Sequence, residues 1–218
     1  MLICDFHIHT EYSADCNLKL ERLVERCRKV GLNCVAITDH NETQGALQLK
    51  KYAPFKVIVG EEIRTSEGEL IGLFLEEKIP PGLSPEETVE RIREQDGLVV
   101  VPHPFDRFRS SAIRTSALHR IIDKVDIIET FNSRNNYRHD NRKAEQLAKQ
   151  HCIPEIAGSD AHFSMEIGNV KLFLQDFADQ RQFLECLKTS SQRKLRRSSL
   201  LVHGGTRLVK WQNRCTSV

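Results

Sequence analysis

Short apolar runs alternate with longer amphipathic ones from Leu2 to about Phe177, and that alternation leaves few architectures open. Runs ending at Phe6–His9 and covering 34–40, 55–62, 97–103, 125–132, 153–160 and 169–174 read as strands, with 69–75 as another near the third. Helical patterns fill the gaps: Leu18–Val30, Thr43–Lys51, Pro85–Gln95, Asn136–His151 and Asp179–Thr189. Their punctuation is good. Ser84, Pro85 and Glu87 form an N-cap, a first-turn proline and a capping-box partner, and Gly31 and Gly97 follow helix ends. The stretch from Arg107 to Leu118 reads as a long loop leading into a short helix. Strands alternating with helices predict a mostly parallel sheet, and about seven such units in this length predict an α/β barrel. An open doubly wound sheet is the alternative, but no glycine-rich nucleotide loop follows a strand. Residues 1–191 are expected to form the barrel, and 192–218, opening on the basic run QRKLRRSSL, a C-terminal extension.

Composition removes several function classes. The 218 residues are 28% charged and 39% apolar with a net charge of +2, as in a globular protein with no bulk attraction to nucleic acid. The seven cysteines make no CxxC pair, so reduced buried thiols are expected rather than a disulfide framework. No apolar run is long enough to span a membrane and no signal-peptide pattern opens the sequence, so the expectation is a cytoplasmic protein without membrane contact.

Function is concentrated at strand ends. Of nine histidines, His7, His9, His40, His103 and His162 sit at or just after the C-terminal end of a candidate strand. Asp15, Asp39, Glu61 or Glu62, and Asp160 lie at the same depth. In barrels those ends converge on one mouth, where active sites are built. So many ionisable groups in one place would repel or demand costly burial unless cations were bound among them. Imidazole suits zinc, iron or manganese, and bridging carboxylates hold cations close together, so two or three divalent ions are expected. His119, His139, His151 and His203 fall outside this pattern and read as exposed or capped.

The ordered set His7-Ile8-His9, Asp15, Thr38-Asp39-His40, Gly60-Glu61-Glu62, His103-Pro104 and Gly158-Ser159-Asp160-Ala161-His162 resembles the PHP (polymerase and histidinol phosphatase) family over roughly residues 2–175. It is most similar to the small stand-alone phosphoesterases of that family. The resemblance implies a distorted (βα)7 TIM-like barrel and a centre of two or three metals (Zn, Mn or Fe). Carried over by motif, His7 and His9 would hold one metal with Glu62 and Asp160. Asp15, His40 and His162 would hold a second, and His103 a third shared with Glu62. The family often has histidine or cysteine after the fifth strand; here Asn132 offers an amide oxygen instead. Catalytic roles would fall to Asp39, His40, Glu62 and His162, with Asp39 orienting a ligand histidine.

A hydroxide activated between divalent ions can attack a phosphate ester in line, and the expected substrate is a small phosphorylated metabolite or nucleotide. Arg107 and Arg134 follow mouth ends of strands and are candidates for phosphate contacts, with Arg109 behind them. Alternatives are a 5′-to-3′ exonuclease on short oligonucleotides, favoured if Arg193, Arg196 and Arg197 lined the mouth, a histidinol-phosphate-type phosphatase, or a non-catalytic metal-binding PHP module. An amidohydrolase-type enzyme shares the HxH start but usually needs a carboxylated lysine.

Overall fold

The computed structural model describes residues 1–190, 193–199 and 201–216. Its elements in chain order are β1 (Leu2–Ile8), α1 (Leu20–Val30), β2 (Cys34–Ile37), α2 (Gln44–Tyr52), β3 (Lys56–Thr65), β4 (Gly68–Leu73), α3 (Pro85–Arg93) and β5 (Leu98–Val101). There follow α4 (Thr115–Ile121), β6 (Ile127–Asn132), α5 (Arg138–His151), β7 (Glu155–Gly158), β8 (Val170–Leu174), α6 (Gln180–Thr189), β9 (Arg193–Leu195) and α7 (Leu201–Thr216). One sheet runs β7-β6-β5-β4-β3-β2-β1-β8-β9. The chain leaving its β7 edge meets the upper half of β1, where His9 N–H donates to Ala161 O at 2.9 Å and Asp160 N–H donates to His7 O at 2.8 Å. Lower down, β8 pairs with β1 from Leu2 to Cys4. The result is a barrel wedged open at one seam, a distorted TIM-like barrel of the kind the sequence predicts.

The expectation of a mostly parallel sheet is corrected. β1–β2, β2–β3, β5–β6 and β6–β7 are parallel, but β3–β4, β4–β5, β1–β8 and β8–β9 are antiparallel. The reason lies in the connection after β3. Only Ser66 and Glu67 separate Thr65 from Gly68, a hairpin link far too short for the crossover that parallel strands require. β4 therefore runs down, and β5 rises beside it.

Two apolar layers sort the side chains. Cys4, Phe6, Cys34, Ala36, Ile58, Ile71, Leu73, Val100 and Ile127 pack inside with Phe177 and Phe183. Val35, Ile37, Val57, Val59, Val99, Val101 and Ile128 face the helices. Ile8 belongs to the outer layer although Phe6 belongs to the inner one, which simple alternation forbids. The register supplies the cause: Asp5 pairs with Val35 and Ile8 with Ile37, so β1 carries one extra residue there. This bulge lets His7 follow Phe6 to the inside, a re-aiming that bulges beside active sites commonly provide. β6 has a similar irregularity between Glu129 and Phe131.

α3 starts with the expected capping box: Ser84 Oγ accepts from Glu87 N–H at 3.2 Å and the Glu87 carboxylate accepts from Ser84 N–H at 2.8 Å. The described part of the segment expected as a C-terminal extension, 193–199 and 201–216, holds a short strand and a helix. β9 extends the sheet beyond β8, and α7 crosses the mouth, where Asn213 donates to Ala14 O. The expected boundary at 191/192 lies outside the described residues. Cys4, Cys16, Cys27, Cys34, Cys152 and Cys186 are free thiols. Among the described residues no helix is long and apolar enough to cross a membrane.

Candidate metal centre

The strand ends bring His7, His9, Asp15, His40, Glu62, His103, Asp160 and His162 together at the barrel mouth. His7 Nε2 stands 3.2 Å from His9 Nε2, 3.3 Å from Glu62 Oε2 and 3.8 Å from Asp160 Oδ1. His9 Nε2 lies 3.3 Å from both carboxylates. Donor atoms each about 2.0–2.2 Å from one cation stand roughly 3–4 Å from each other, so this foursome has the spacing of a shared shell. A second group follows: His162 Nε2 is 3.3 Å from Asp15 Oδ1, and His40 Nε2 is 3.5 Å from Asp15 Oδ2. His103 Nε2 meets the other Glu62 oxygen at 2.9 Å.

Supporting bonds hold the imidazoles edge-on to the mouth. His7 Nδ1 pairs with Glu129 Oε1 at 3.0 Å, and His162 Nδ1 donates to the Asp160 carbonyl at 2.9 Å. His9 Nδ1 meets Ser13 Oγ at 3.1 Å, and Ser13 donates to Asp39 Oδ1 at 3.0 Å. Metal-binding histidines are usually oriented in this way, the second ring nitrogen donating to an oxygen. Asp160 and His103 also hold left-handed backbone, with φ of 52° and 30°. Such conformations cost about 1–3 kcal/mol each in residues other than glycine and cluster at functional sites.

The electrostatics call for positive charge at the centre. Burial alone would neutralise these carboxyls, yet Glu62 and Asp160 are held well below the usual range, Glu62 chiefly by His40 and His7, Asp160 by Arg109 and His7. The imidazoles respond. Burial opposes a charge on His7, but Glu129, Glu62 and Asp160 outweigh it and raise it well above normal, and His40 is raised to about 9 by Glu62 and Asp15. His162, buried beside His9 and Arg134, is instead lowered to about 4. The buried atoms without a hydrogen-bonding partner among the described residues include Asp15 Oδ1, Asp160 Oδ1, Glu69 Oε2 and His103 Nδ1. Acidic oxygens and imidazole nitrogens left in this state fit divalent cations well.

Asp39 keeps the orienting place expected of it: buried, it accepts from Thr10 N–H and Thr10 Oγ as well as Ser13, and so positions His9 through Ser13. Several other expected roles change. Asn132 does not offer its amide oxygen, which accepts from Arg134 N–H at 2.9 Å; its amide nitrogen donates to Glu129 and Asp160. Arg107 is drawn away by Asp140, at 2.6 Å, and lies over the Tyr137 ring. Arg134 is at the mouth, but its guanidinium is clamped by Glu166 at 2.9 and 2.6 Å. Arg109, ranked behind both, reaches the carboxylate of Asp160 itself. Glu62, not Glu61, faces inward, because Glu61 accepts from Ile79 N–H on the outer side. His119, His139 and His151 are exposed on helices. Glu129 and Glu69 escape a reading based on strand ends. Both are acidic residues on the inward period of apolar strands, which is the signal that marks them.

Gly158 shows how close the packing is, since a Cβ there would run into the Glu129 carboxylate and the Cβ of His7. Gly158→Ala is expected to weaken divalent-metal affinity by about ten- to a hundredfold, the usual cost of disturbing a ligand's support. Manganese titration by calorimetry measures this, and unchanged affinity would remove Gly158 from the account.

A split barrel with a histidine–carboxylate cluster across its strand ends defines an α/β protein with a candidate metal centre. The PHP domain profile matches residues 5–101 and the PHP-associated profile residues 138–190. An uncharacterized protein of Methanocaldococcus jannaschii is 36% identical over 209 residues, 91% of this chain and 84% of its own length. The chain belongs to the PHP family. Among solved structures, a candidate metal-dependent phosphoesterase from Bifidobacterium adolescentis shares the fold with a TM-score of 0.63 at 18% identity, covering 91% of this chain and 98% of its own. An amidohydrolase from Chromobacterium violaceum with bound sulfate superposes with a TM-score of 0.63 at 17% identity, covering 84% of this chain and 96% of its own.

Proposed function

We propose that the protein is a metal-dependent phosphoesterase that hydrolyses phosphate esters of small metabolites or nucleotides. One observation carries the reading. A cavity of about 450 Å3 at the mouth is lined both by His40, His162, Asp15 and Glu69 and by the cationic Arg64, Arg109, Arg134 and Lys210. Cationic side chains facing a metal-ligand cluster suit an anionic ester whose phosphorus lies over the cluster. Bound divalent cations would activate water for attack and offset the charge developing on the phosphoryl oxygens. Arg109 is the guanidinium best placed to bind a phosphoryl oxygen, because it lines the cavity and reaches the cluster through Asp160. Arg134, fixed by Glu166, adds charge to the wall while keeping the loop after β6 in place. Thr206 and Lys210 bring α7 over the cavity, where it would limit water and the length of the substrate. The sulfate bound by the Chromobacterium violaceum protein is a tetrahedral anion of the same shape as phosphate.

The rim favours a nucleotide within that class. Phe108 and Tyr137 line the cavity, their rings stacked with centroids 4.9 Å apart, and Phe108 is 71% exposed. An exposed aromatic pair beside an anion site is a platform for a planar base. Arg193 pairs with Glu155 and Arg197 donates to the Asn136 carbonyl; neither they nor Arg196 line the cavity, so the tail arginines lend no support to exonuclease action.

The decisive assay is a panel of phosphate esters, including nucleoside bisphosphates and 5′-phosphorylated oligonucleotides, run with and without chelator. Ester hydrolysis is expected to be abolished by EDTA and restored by manganese, zinc or iron. Hydrolysis that persists in metal-free protein would overturn the proposal.

A further inference from the structure

Glu69 takes no part in the ligand set that the family resemblance implies, nor in the reaction above. Yet it is 3% exposed, and one of its oxygens, Oε2, has no partner among the described residues. A buried carboxylate with an unmet oxygen is costly and persists where something completes it. The other oxygen, Oε1, is 3.9 Å from His40 Nδ1 and 3.7 Å from Arg64 Nη1. Arg64 is a poor explanation for it, since the Arg64 side chain is 55% exposed and the separation exceeds a hydrogen bond.

The hairpin geometry aims Glu69 at the centre. It shares the inward face of β4 with Ile71 and Leu73. The antiparallel register pairs Ile71 with Glu62 and Glu69 with Arg64, so Glu62 and Glu69 project from diagonal positions on one face. One donor atom from each of His40, Glu62 and Glu69 lies within 4.8 Å of the other two. The His40 Nδ1 to Glu62 Oε2 distance is 3.2 Å. The separations from His40 Nδ1, 3.2 Å to Glu62 and 3.9 Å to Glu69, match the roughly 3–4 Å between donors that share a cation.

We propose that Glu69, with His40 Nδ1 and Glu62 Oε2, forms a further divalent-cation position on the hairpin side of the centre, rich in oxygen donors and open to the cavity. The inference rests on the cluster binding metal. A neutral imidazole has one lone pair, so a cation held at Nδ1 leaves the Nε2 proton to face Asp15 Oδ2 at 3.5 Å. A cation at this position therefore takes His40 out of the group it would share with Asp15 and His162, leaving Asp15 Oδ1 and His162 Nε2, 3.3 Å apart, as the donors there. Two carboxylates with one imidazole suit manganese better than a thiolate-seeking ion.

The test is metal stoichiometry, not activity. Manganese is titrated into chelator-stripped full-length protein by calorimetry, and metal per chain is counted by mass spectrometry after gel filtration. Glu69→Gln, which keeps the shape, is expected to lose one equivalent or bind its weakest manganese at least tenfold more loosely. Glu69→Asp should fall between it and the parent. Arg64→Gln should match the parent. Circular dichroism of the stripped proteins establishes that each variant is folded. Parent stoichiometry and affinity in both Glu69 variants would overturn the proposal, as would loss of the same equivalent in Arg64→Gln, which would make Glu69 only an ion-pair partner. A parent that binds no manganese, zinc or iron would instead overturn the metal-centre reading itself.

Discussion

Glu62→Gln is expected to lower phosphate-ester hydrolysis by about a thousandfold, equivalent to about 4 kcal/mol of lost transition-state stabilisation. Glu62 is the hub of the cluster. Its Oε2 lies within 3.3 Å of His7, His9 and His40, and its Oε1 meets His103 at 2.9 Å. Glutamine preserves volume and one oxygen but removes the charge that draws cations into a buried site and lets a carboxylate bridge them. The amide would also turn an N–H toward imidazole nitrogens that should face metal. Metal content should therefore fall together with rate. The matched control is Glu61→Gln. Glu61 faces the outer layer, burial pushes it up to about 7, and among the described residues its hydrogen-bond role is to accept from Ile79 N–H. Its amide variant should keep both metal and rate. A Glu62→Gln protein that retains full metal and full rate would remove Glu62 from the centre.

The difference between neighbours such as these shows what a sequence can disclose. Strand period alone puts Glu62 inward with Ile58 and Gly60, and it puts His7 and His9 on one side of β1. Strand ends bring distant ligands together because a barrel has one mouth, so His40, His103, Asp160 and His162 are readable without coordinates. What defeats the reading is local departure from period. The extra residue in β1 turns His7 inward directly after Phe6, and at the end of β6 the Arg134 N–H takes the Asn132 amide oxygen and leaves its nitrogen to Glu129 and Asp160. Long charged side chains are harder still. Arg107 and Arg109 are two residues apart in one loop, and only the position of Asp140 on α5 decides that the first turns away while the second reaches the cluster. Strand direction departs from the parallel pattern where the Ser66–Glu67 link makes a hairpin, a feature visible in its length even though helical patterns flank the pair of strands.

The floor of the barrel yields the other large effect. Phe183→Ala is expected to destabilise the protein by about 3–5 kcal/mol, the range for truncating a buried aromatic. Phe183 is fully buried, and its ring centroid lies 5.0 Å from Phe6, 5.4 Å from Phe74 and 5.0 Å from Phe177. It enters from α6 and closes the end of the barrel opposite the mouth. Those neighbours come from β1, from the turn after β4 and from the segment after β8, which cannot all collapse into the space left behind. At about 2–4 °C per kcal/mol for a domain of this size, the midpoint of thermal unfolding should fall by about 6–20 °C. The measurement belongs in chelator, because bound metal raises the midpoint by mass action and would mask the packing loss. Phe183→Leu, which refills much of the volume, should recover most of the deficit. A fall of less than about 2 °C in Phe183→Ala would mean that the floor relaxes freely around the lost ring and is not a rigidly packed seat for Phe6.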